Sequence, residues 1–333
     1  MERLHNHRII SIIGIAKNAG KTTVLNTIIE QYKTKSLCIT SIGLDGEKYD
    51  NITNQEKPRV QLYPGMYVLT AEQCLNDSTI EYLIHERTPY RTALGQVLIV
   101  EVIKEGRVLV AGPSSKQQMK LALKDMEKYK PYKILIDGAL YRKSIASAEV
   151  SDGIIFVTGA SYSSDINETV KDTKIIIDQL QKKVGKVPDI LYEKINENIL
   201  SYNENTEQIN EWTGRLLNEE ERIVQILDTK PTHLYLPGAL TDRLANEIIR
   251  YKGIMNELDV IVQDSSYLLL SSDQYEYLTK KQVNICVLNP IEILFVAYNP
   301  VSPFSYDYDD SEFRSLLSRK LGIQVVNILQ DLR

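Results

Sequence analysis

Apolar residues in the first half of the chain fall into short unbroken runs, separated by stretches in which they recur at helical spacing. The runs are Ile9 to Ile13, Leu37 to Ile42, Val97 to Ile103, Val108 to Ala111, Ile134 to Ile136 and Ile154 to Thr158. Short continuous runs of this kind suit strands buried on both faces, as in a parallel sheet sandwiched by helices. Helices are expected at Lys21 to Lys33, Ser115 to Lys128 and Asp165 to Lys183; in the first, Val24, Leu25, Ile28, Ile29 and Tyr32 form one apolar face. Residues 45–95 show little period: Pro58, Pro64-Gly65 and Pro89 punctuate them, with a short helix expected around Ile80 to His85. Past Ile190, Tyr192 to Asn218 is rich in Asn and Glu and is expected to be helical. Strands then resume at His233 to Leu236, Val260 to Val262, Asn284 to Leu288 and Ile293 to Ala297, with helices at Asp242 to Tyr251 and Ser311 to Leu321. The alternation predicts an α/β protein: a doubly wound parallel sheet in residues 1–190, an acidic helical linker or insertion in 191–230, and a smaller C-terminal α/β domain in 231–333.

Composition narrows the class. The 333 residues are 43% hydrophobic and 25% charged, with a net charge of −5, so no basic footprint for nucleic acid is expected. Tyr192 to Lys230 holds nine acidic and four basic residues, which accounts for the whole net charge. The cysteines Cys38, Cys74 and Cys286 are far apart and fit a reducing compartment. No apolar stretch has the length of a membrane span and Met1 to His5 does not read as a signal peptide, so a cytoplasmic protein is expected.

The chemistry starts where the first strand ends. Gly14-Ile15-Ala16-Lys17-Asn18-Ala19-Gly20-Lys21-Thr22-Thr23 lies between an apolar strand and an amphipathic helix, the context of a P-loop. In such a loop the backbone N–H groups and the positive helix end bind phosphate oxygens. Lys21 would reach the β- and γ-phosphates of ATP, and Thr22 would ligate Mg²⁺. The candidate nucleotide-binding set is Gly14, Lys17, Asn18, Ala19, Gly20, Lys21, Thr22 and Thr23, with Lys17 readable as a second phosphate ligand or as a solvated loop lysine. Gly14 and Gly20 are separated by five residues where the strict pattern has four. That spacing resembles the dethiobiotin synthetase branch of P-loop proteins and, more loosely, ParA and MobB-like proteins.

Two acids complete the candidate centre. Asp137 ends the strand Tyr132 to Ile136 and precedes Gly138, the position from which a P-loop protein holds Mg²⁺ through water. Asp45, just past the second strand, is readable as a water-orienting or metal outer-shell group or as an Asp-Gly turn; Glu47 is expected to be solvated. Lys21, Asp45 and Asp137 are the catalytic candidates, and Thr22 and Asp137 the metal candidates. Ala111 to Ser115 and Thr158-Gly159-Ala160 also end strands and read equally as ligand-facing loops or as helix starts and turns. An Asn at 289 or 299 could read a base edge or punctuate a loop. His5, His7, His85 and His233 show no metal-ligand spacing. Thr229-Lys230-Pro231-Thr232 begins like a guanine-reading element but ends without its acid, so either a preference for ATP or weak selectivity is expected.

Together these blocks resemble the P-loop subunit of the lysine 5,6-aminomutase and ornithine aminomutase reactivase family. The resemblance rests on residues 14–23, on Thr40-Ser41-Ile42-Gly43 with Asp45-Gly46-Glu47, on Ile136 to Leu140, on Thr158 to Ala160 and on Asn299-Pro300 to Pro303. It departs at Tyr141-Arg142, where the family carries an Asp-Arg pair. It implies a magnesium-dependent ATPase, slow without its partners, that works with a MutS-like ATPase to exchange damaged cofactor on a cobalamin-dependent aminomutase. The residues themselves leave open a ligase or kinase that phosphorylates a carboxylate, with Arg87 or Arg91 as substrate anchor, and a nucleotide-switch metallochaperone. The acidic stretch around Trp212 reads as a solvated linker or as a partner-docking arm, and a homodimer is among the assemblies expected.

Overall fold

The computed structural model describes residues 2–42, 59–138, 147–212, 219–252 and 258–331. They form an α/β protein of two compact units, one built from Met1–Thr173 with Glu292–Arg333 and the other from Lys174–Ile291. In chain order the first unit contains α1 (Glu2–His5), β1 (Ile9–Gly14), α2 (Lys21–Gln31), β2 (Leu37–Ser41), β3 (Val60–Leu62), β4 (Tyr67–Ala71) and α3 (Glu72–Asn76). It continues with β5 (Glu81–Thr92), β6 (Gly95–Lys104), β7 (Gly106–Val108), α4 (Lys116–Glu127), β8 (Lys133–Asp137), β9 (Gly153–Gly159) and the start of α5 (Ile166–Leu180). The second unit follows with α6 (Asp189–Tyr192), β10 (Ile199–Asn203), β11 (Gln208–Trp212), α7 (Glu219–Asp228), β12 (His233–Leu236), β13 (Leu240–Thr241) and α8 (Asp242–Lys252). It ends with β14 (Asp259–Val262), β15 (Leu268–Leu269), α9 (Ser272–Lys280) and β16 (Asn284–Val287). The chain then returns to the first unit as β17 (Glu292–Asn299), α10 (Asp310–Leu321) and β18 (Val325–Asn327).

The large sheet of the first unit has the order β18-β17-β9-β1-β8-β2-β4-β6-β5. The strands from β18 to β4 are parallel, whereas β6 pairs antiparallel with both β4 and β5. The sheet is therefore mixed, with a parallel core and an antiparallel ribbon at one edge. All of β2 and β9, and all but the first residue of β1, are buried, which is why these segments read as unbroken apolar runs. In α2, Val24, Leu25, Ile28 and Ile29 are wholly buried, fixing its N-terminus at the carboxyl end of β1.

The second unit has a sheet of order β11-β10-β12-β14-β16, parallel from β12 to β16 and antiparallel at β10 and β11. Its core includes Ile223, Leu234, Leu244, Ile248, Val260 and Leu278.

Three expectations are corrected. The segment around Ile80 to His85 belongs to the edge strand β5; its pairing with β6 shifts register at three places, which blurs the alternation that marks a strand. An edge strand also tolerates Pro89. Residues 192–212 are mostly a hairpin rather than a helix: Asn203 Oδ1 accepts the N–H groups of Asn205 and Thr206, so Asn-rich composition marks a turn here. Finally, the chain divides within α5 and at Glu292 rather than near 190 and 231, because β17 and β18 extend the first sheet beside β9. Among the described residues, no helix is long and apolar enough to cross a membrane.

Close backbone approach sets one testable constraint. A Cβ on Gly112 would lie 2.2 Å from Ser41 O and 2.4 Å from Thr40 Oγ1, at the carboxyl end of β2. Gly112→Ala should destabilise by about 1–3 kcal/mol, whereas Gly238→Ala, which meets nothing within 4 Å, should stay within about 0.5 kcal/mol of the parent. Urea denaturation of both variants checks this; equal midpoints would remove the close approach as a constraint.

Candidate functional site

The site starts from the exit of β1. Ile15 N–H donates to Val157 O at 2.8 Å, tying the first residue of the loop to β9. Lys17 and Asn18 are exposed, Ala19 is fully buried, and the chain turns back through left-handed backbone at Asn18 (φ 58°) and Gly20 (φ 105°). Asn tolerates that conformation and Gly adopts it without strain. Gly20 caps α2 without a side-chain hydrogen bond, no acid occupies the first turn, and Val24 N–H donates to Gly20 O at 3.0 Å. The N–H groups of Lys21, Thr22 and Thr23 precede that bond and carry the partial positive charge of the helix end.

Lys21 turns back over this loop. Its Nζ donates to Ala16 O at 2.9 Å, and its Cγ and Cδ would lie 3.0 Å from a Cβ on Gly14. A Cβ at position 14 would crowd the lysine stem, which would have to give by a few tenths of an ångström, so the glycine at the end of β1 makes room for Lys21. Burial pushes the Lys21 ammonium below its ordinary value, and the charge of Asp137 partly offsets the shift. Asp137 ends β8, where the parallel register sets it beside Ile12 of β1 and Ser41 of β2. Its backbone O accepts Ile42 N–H at 3.0 Å. Burial pushes its carboxyl up to about 6, against the opposing effects of Lys21 and the Gly138 N–H. In both groups desolvation outweighs their mutual attraction.

Sheet order explains why these residues meet. From β1 the chain crosses through α2 to β2 on one side of β8, while β8 leads to β9 on the other side of β1. The connections diverge at the β1–β8 pair, the kind of switch point outside whose strand ends open α/β sheets bind ligands. Lys21, Thr22, Thr23 and Asp137 come together at this edge, with Thr22 half-buried and Thr23 exposed. Among the described residues the Thr22 hydroxyl has no hydrogen-bond partner. Asp45 and Glu47 lie outside the described residues, as do Tyr141 and Arg142.

Other candidates resolve into packing or lie apart. Gly112 N–H donates to Ser41 Oγ, and Ser115 caps α4 by accepting Gln118 N–H. Gly159 allows the Asn299 backbone close, since a Cβ there would lie 2.5 Å from Asn299 O. Asn299 Oδ1 accepts Val301 N–H, and its side chain neighbours Gly20. Arg87 pairs with Glu72 on the exposed edge strand β5, which also carries Arg91. At ordinary strand spacing β5 is about 24 Å from β1 across the sheet. His7 meets Glu292, His85 meets Glu101 and His233 meets Thr232. Trp212 is partly buried against the second unit's core and donates to Ser201 Oγ. Thr229 to Thr232 follows α7 in that unit. One neighbour had no sequence signal: Ile328 Cδ1 would lie 2.4 Å from a Cβ on Gly20, bringing the segment after β18 onto the loop.

Because native Asp137 holds its proton up to about pH 6, while an unfolded aspartate releases it near ~3.9, the native state binds more protons between those values. Stability therefore falls as pH rises through that window and levels off above it. Relative to the parent, Asp137→Asn should gain on the order of 1 kcal/mol between pH 5 and pH 8 in denaturation of the ligand-free protein. A constant difference at the two pH values would show that the carboxylate is not held up by burial. No family model, curated protein or solved structure matches this chain.

Proposed function

We propose that residues 14–23 are a P-loop-type phosphate site, that it takes ATP with Mg²⁺, and that the protein is a slow ATP hydrolase. The observation that carries this reading is the placement of Lys21: its ammonium rests on Ala16 O above Gly14, beside the uncapped start of α2 and within the field of Asp137. A cation held, among the described residues, by a neutral carbonyl exchanges that bond for charge-assisted bonds when phosphate oxygens arrive. The N–H groups at the start of α2 supply further donors, and Gly20 keeps the backbone accessible.

The residues also suit a hard divalent cation. Thr22 offers a hydroxyl without a partner among the described residues, and Asp137 offers an oxygen ligand whose ionised form lacks sufficient compensation. Thr22 and Asp137 would hold the ion, directly or through water. Bound Mg²⁺ would neutralise charge on the β- and γ-phosphate oxygens. Lys21 would stabilise the same oxygens from the protein side, and Asp45 is the remaining candidate for orienting the attacking water.

The family resemblance extends the reading to ATP-driven cofactor exchange on a cobalamin-dependent aminomutase, in concert with a MutS-like ATPase. A nucleotide-dependent two-state element could bias such an exchange. The carboxylate-ligase alternative has less support, because Arg87 and Arg91 lie on β5 at the far side of the sheet from Lys21.

Lys21→Ala should lower Mg-ATP affinity by about 10- to 150-fold, the equivalent of 1.5–3 kcal/mol, without loss of fold. Asp137→Asn should retain nucleotide binding and lose hydrolysis. Calorimetry and phosphate release, with and without the aminomutase and its MutS-like companion, read these outcomes. Unchanged affinity in folded Lys21→Ala would end the phosphate-site reading; fast turnover of the parent without partners would end the reactivase reading.

A further inference from the structure

On the reading of residues 14–23 as a phosphate site, we infer that the nucleoside half of the ligand lies in the cleft between the outer face of α2 and the segment after β18, and that this cleft discriminates little between adenine and guanine. The cleft is open to solvent, has a volume of about 560 Å³ and is lined by Thr23, Asn26, Thr27, Glu30 and Gln31 of α2 with Ile328 and Leu329 opposite. That volume falls within the ordinary range for small-ligand sites. It also begins at the correct place. Thr23 is the last residue of the phosphate segment and lines the cleft, while Ile328 packs against Gly20. Phosphates seated on the start of α2 therefore lead into it.

A fixed polar network holds the Ile328 wall in position. Asn327 is fully buried and donates through Nδ2 to Asp310 Oδ1, while its N–H donates to Asp331 Oδ2 and its Oδ1 accepts Leu329 N–H. Arg314 donates from Nη2 to Asp331 Oδ2 and from Nε to the Tyr298 hydroxyl, and that hydroxyl donates to Asp310 Oδ1. Ile328 N–H donates to Tyr298 O. The apolar wall is thus a rigid part of the C-terminal turn, with Ile328 only 2% exposed.

Weak base choice follows from which lining groups are already engaged. Asn26 gives Oδ1 to Gln61 N–H and donates from Nδ2 to Arg59 O, Thr27 Oγ1 donates to Thr23 O, and Glu30 accepts from Lys33 and Tyr63. Strong discrimination requires polar groups that the wrong base leaves unpaired. Here the half-buried Leu329 offers a base apolar contact, with Ile328 almost wholly buried behind it, and the side-chain groups just named are committed to partners within the protein.

The test compares Mg-ATP, Mg-GTP and Mg-tripolyphosphate on the full chain. Parent affinities for ATP and GTP should agree within about fivefold, and Thr27→Trp, which fills the cleft, should weaken both by about tenfold or more while leaving tripolyphosphate within about twofold. Lys21→Ala should weaken all three. A Thr27→Trp protein that binds ATP like the parent, or loses tripolyphosphate equally, overturns the cleft assignment while the Lys21 result still stands for the phosphate site. If Lys21→Ala changes none of the three, the phosphate reading falls and the cleft assignment with it. Photolabelling of the unmodified protein with 8-azido-ATP gives a readout independent of the variant's folding. Labelled peptides should contain residues 23–31 or 328–329, and labelling confined to residues 300–309 would overturn the proposal.

Discussion

Among the described residues the partly buried ammonium group of Lys21 has the Ala16 carbonyl as its hydrogen-bond partner, and much of the site's architecture accommodates that arrangement. The lysine stem needs the space that Gly14 leaves open at the end of β1. Returning the chain from β1 to α2 beneath that stem requires left-handed backbone at Asn18 and Gly20. Asp137, in register with the same strand end, supplies the opposing charge but is itself desolvated. The two groups remain mutually attractive and individually under-solvated, a combination that a folded protein tolerates only where something else compensates.

The surrounding sheet edge is shaped by close backbone approaches. Gly112 lies against β2, Gly159 against the end of β17, and Gly20 against Ile328. In each case a side chain would force neighbouring atoms apart, so the carboxyl ends of β2, β9 and β17 are packed where open α/β folds present their ligand crevices. The polar network from Tyr298 to Asp331 secures the C-terminal turn at the same edge. Precision at Lys21 therefore depends on residues more than 300 positions away in sequence as well as on its own loop.

Much of this was legible in sequence because the parallel core strands are buried on both faces and leave uninterrupted apolar runs. The helix after Gly20 was equally clear, since Val24, Leu25, Ile28 and Ile29 repeat at one face. Local pattern failed where a partner outside the segment decides the outcome. The apolar run at Ile293 to Ala297 reads as a strand but carries no information that it will lie beside β9 rather than β16. Likewise, register shifts hid β5, and asparagine turns disguised the β10–β11 hairpin as a polar helix. At the site, Lys21 and Asp137 were marked by strand ends and glycines. Ile328 was invisible because an isoleucine after a short edge strand resembles any other core residue until the chain has closed on Gly20.

The two ends of the proposed ligand face different physical environments, and that contrast defines what each end can contribute. At the phosphate end, Lys21 and Asp137 both carry unfavourable desolvation in the ligand-free protein, so an anion and a cation arriving together relieve strain already present in the fold. Any ligand that binds the native state in this way also stabilises it. At the other end, Leu329 and the rest of the cleft offer burial, which strengthens binding without distinguishing the ligand before hydrolysis from the product after it. On the proposed reading, the difference between ATP and ADP states must therefore arise at Lys21, Thr22 and Asp137, where the γ-phosphate and its metal are gained or lost. A conformational response could then propagate along β1 and β8 into the sheet, with the nucleoside cleft acting as a fixed anchor against which that response is set.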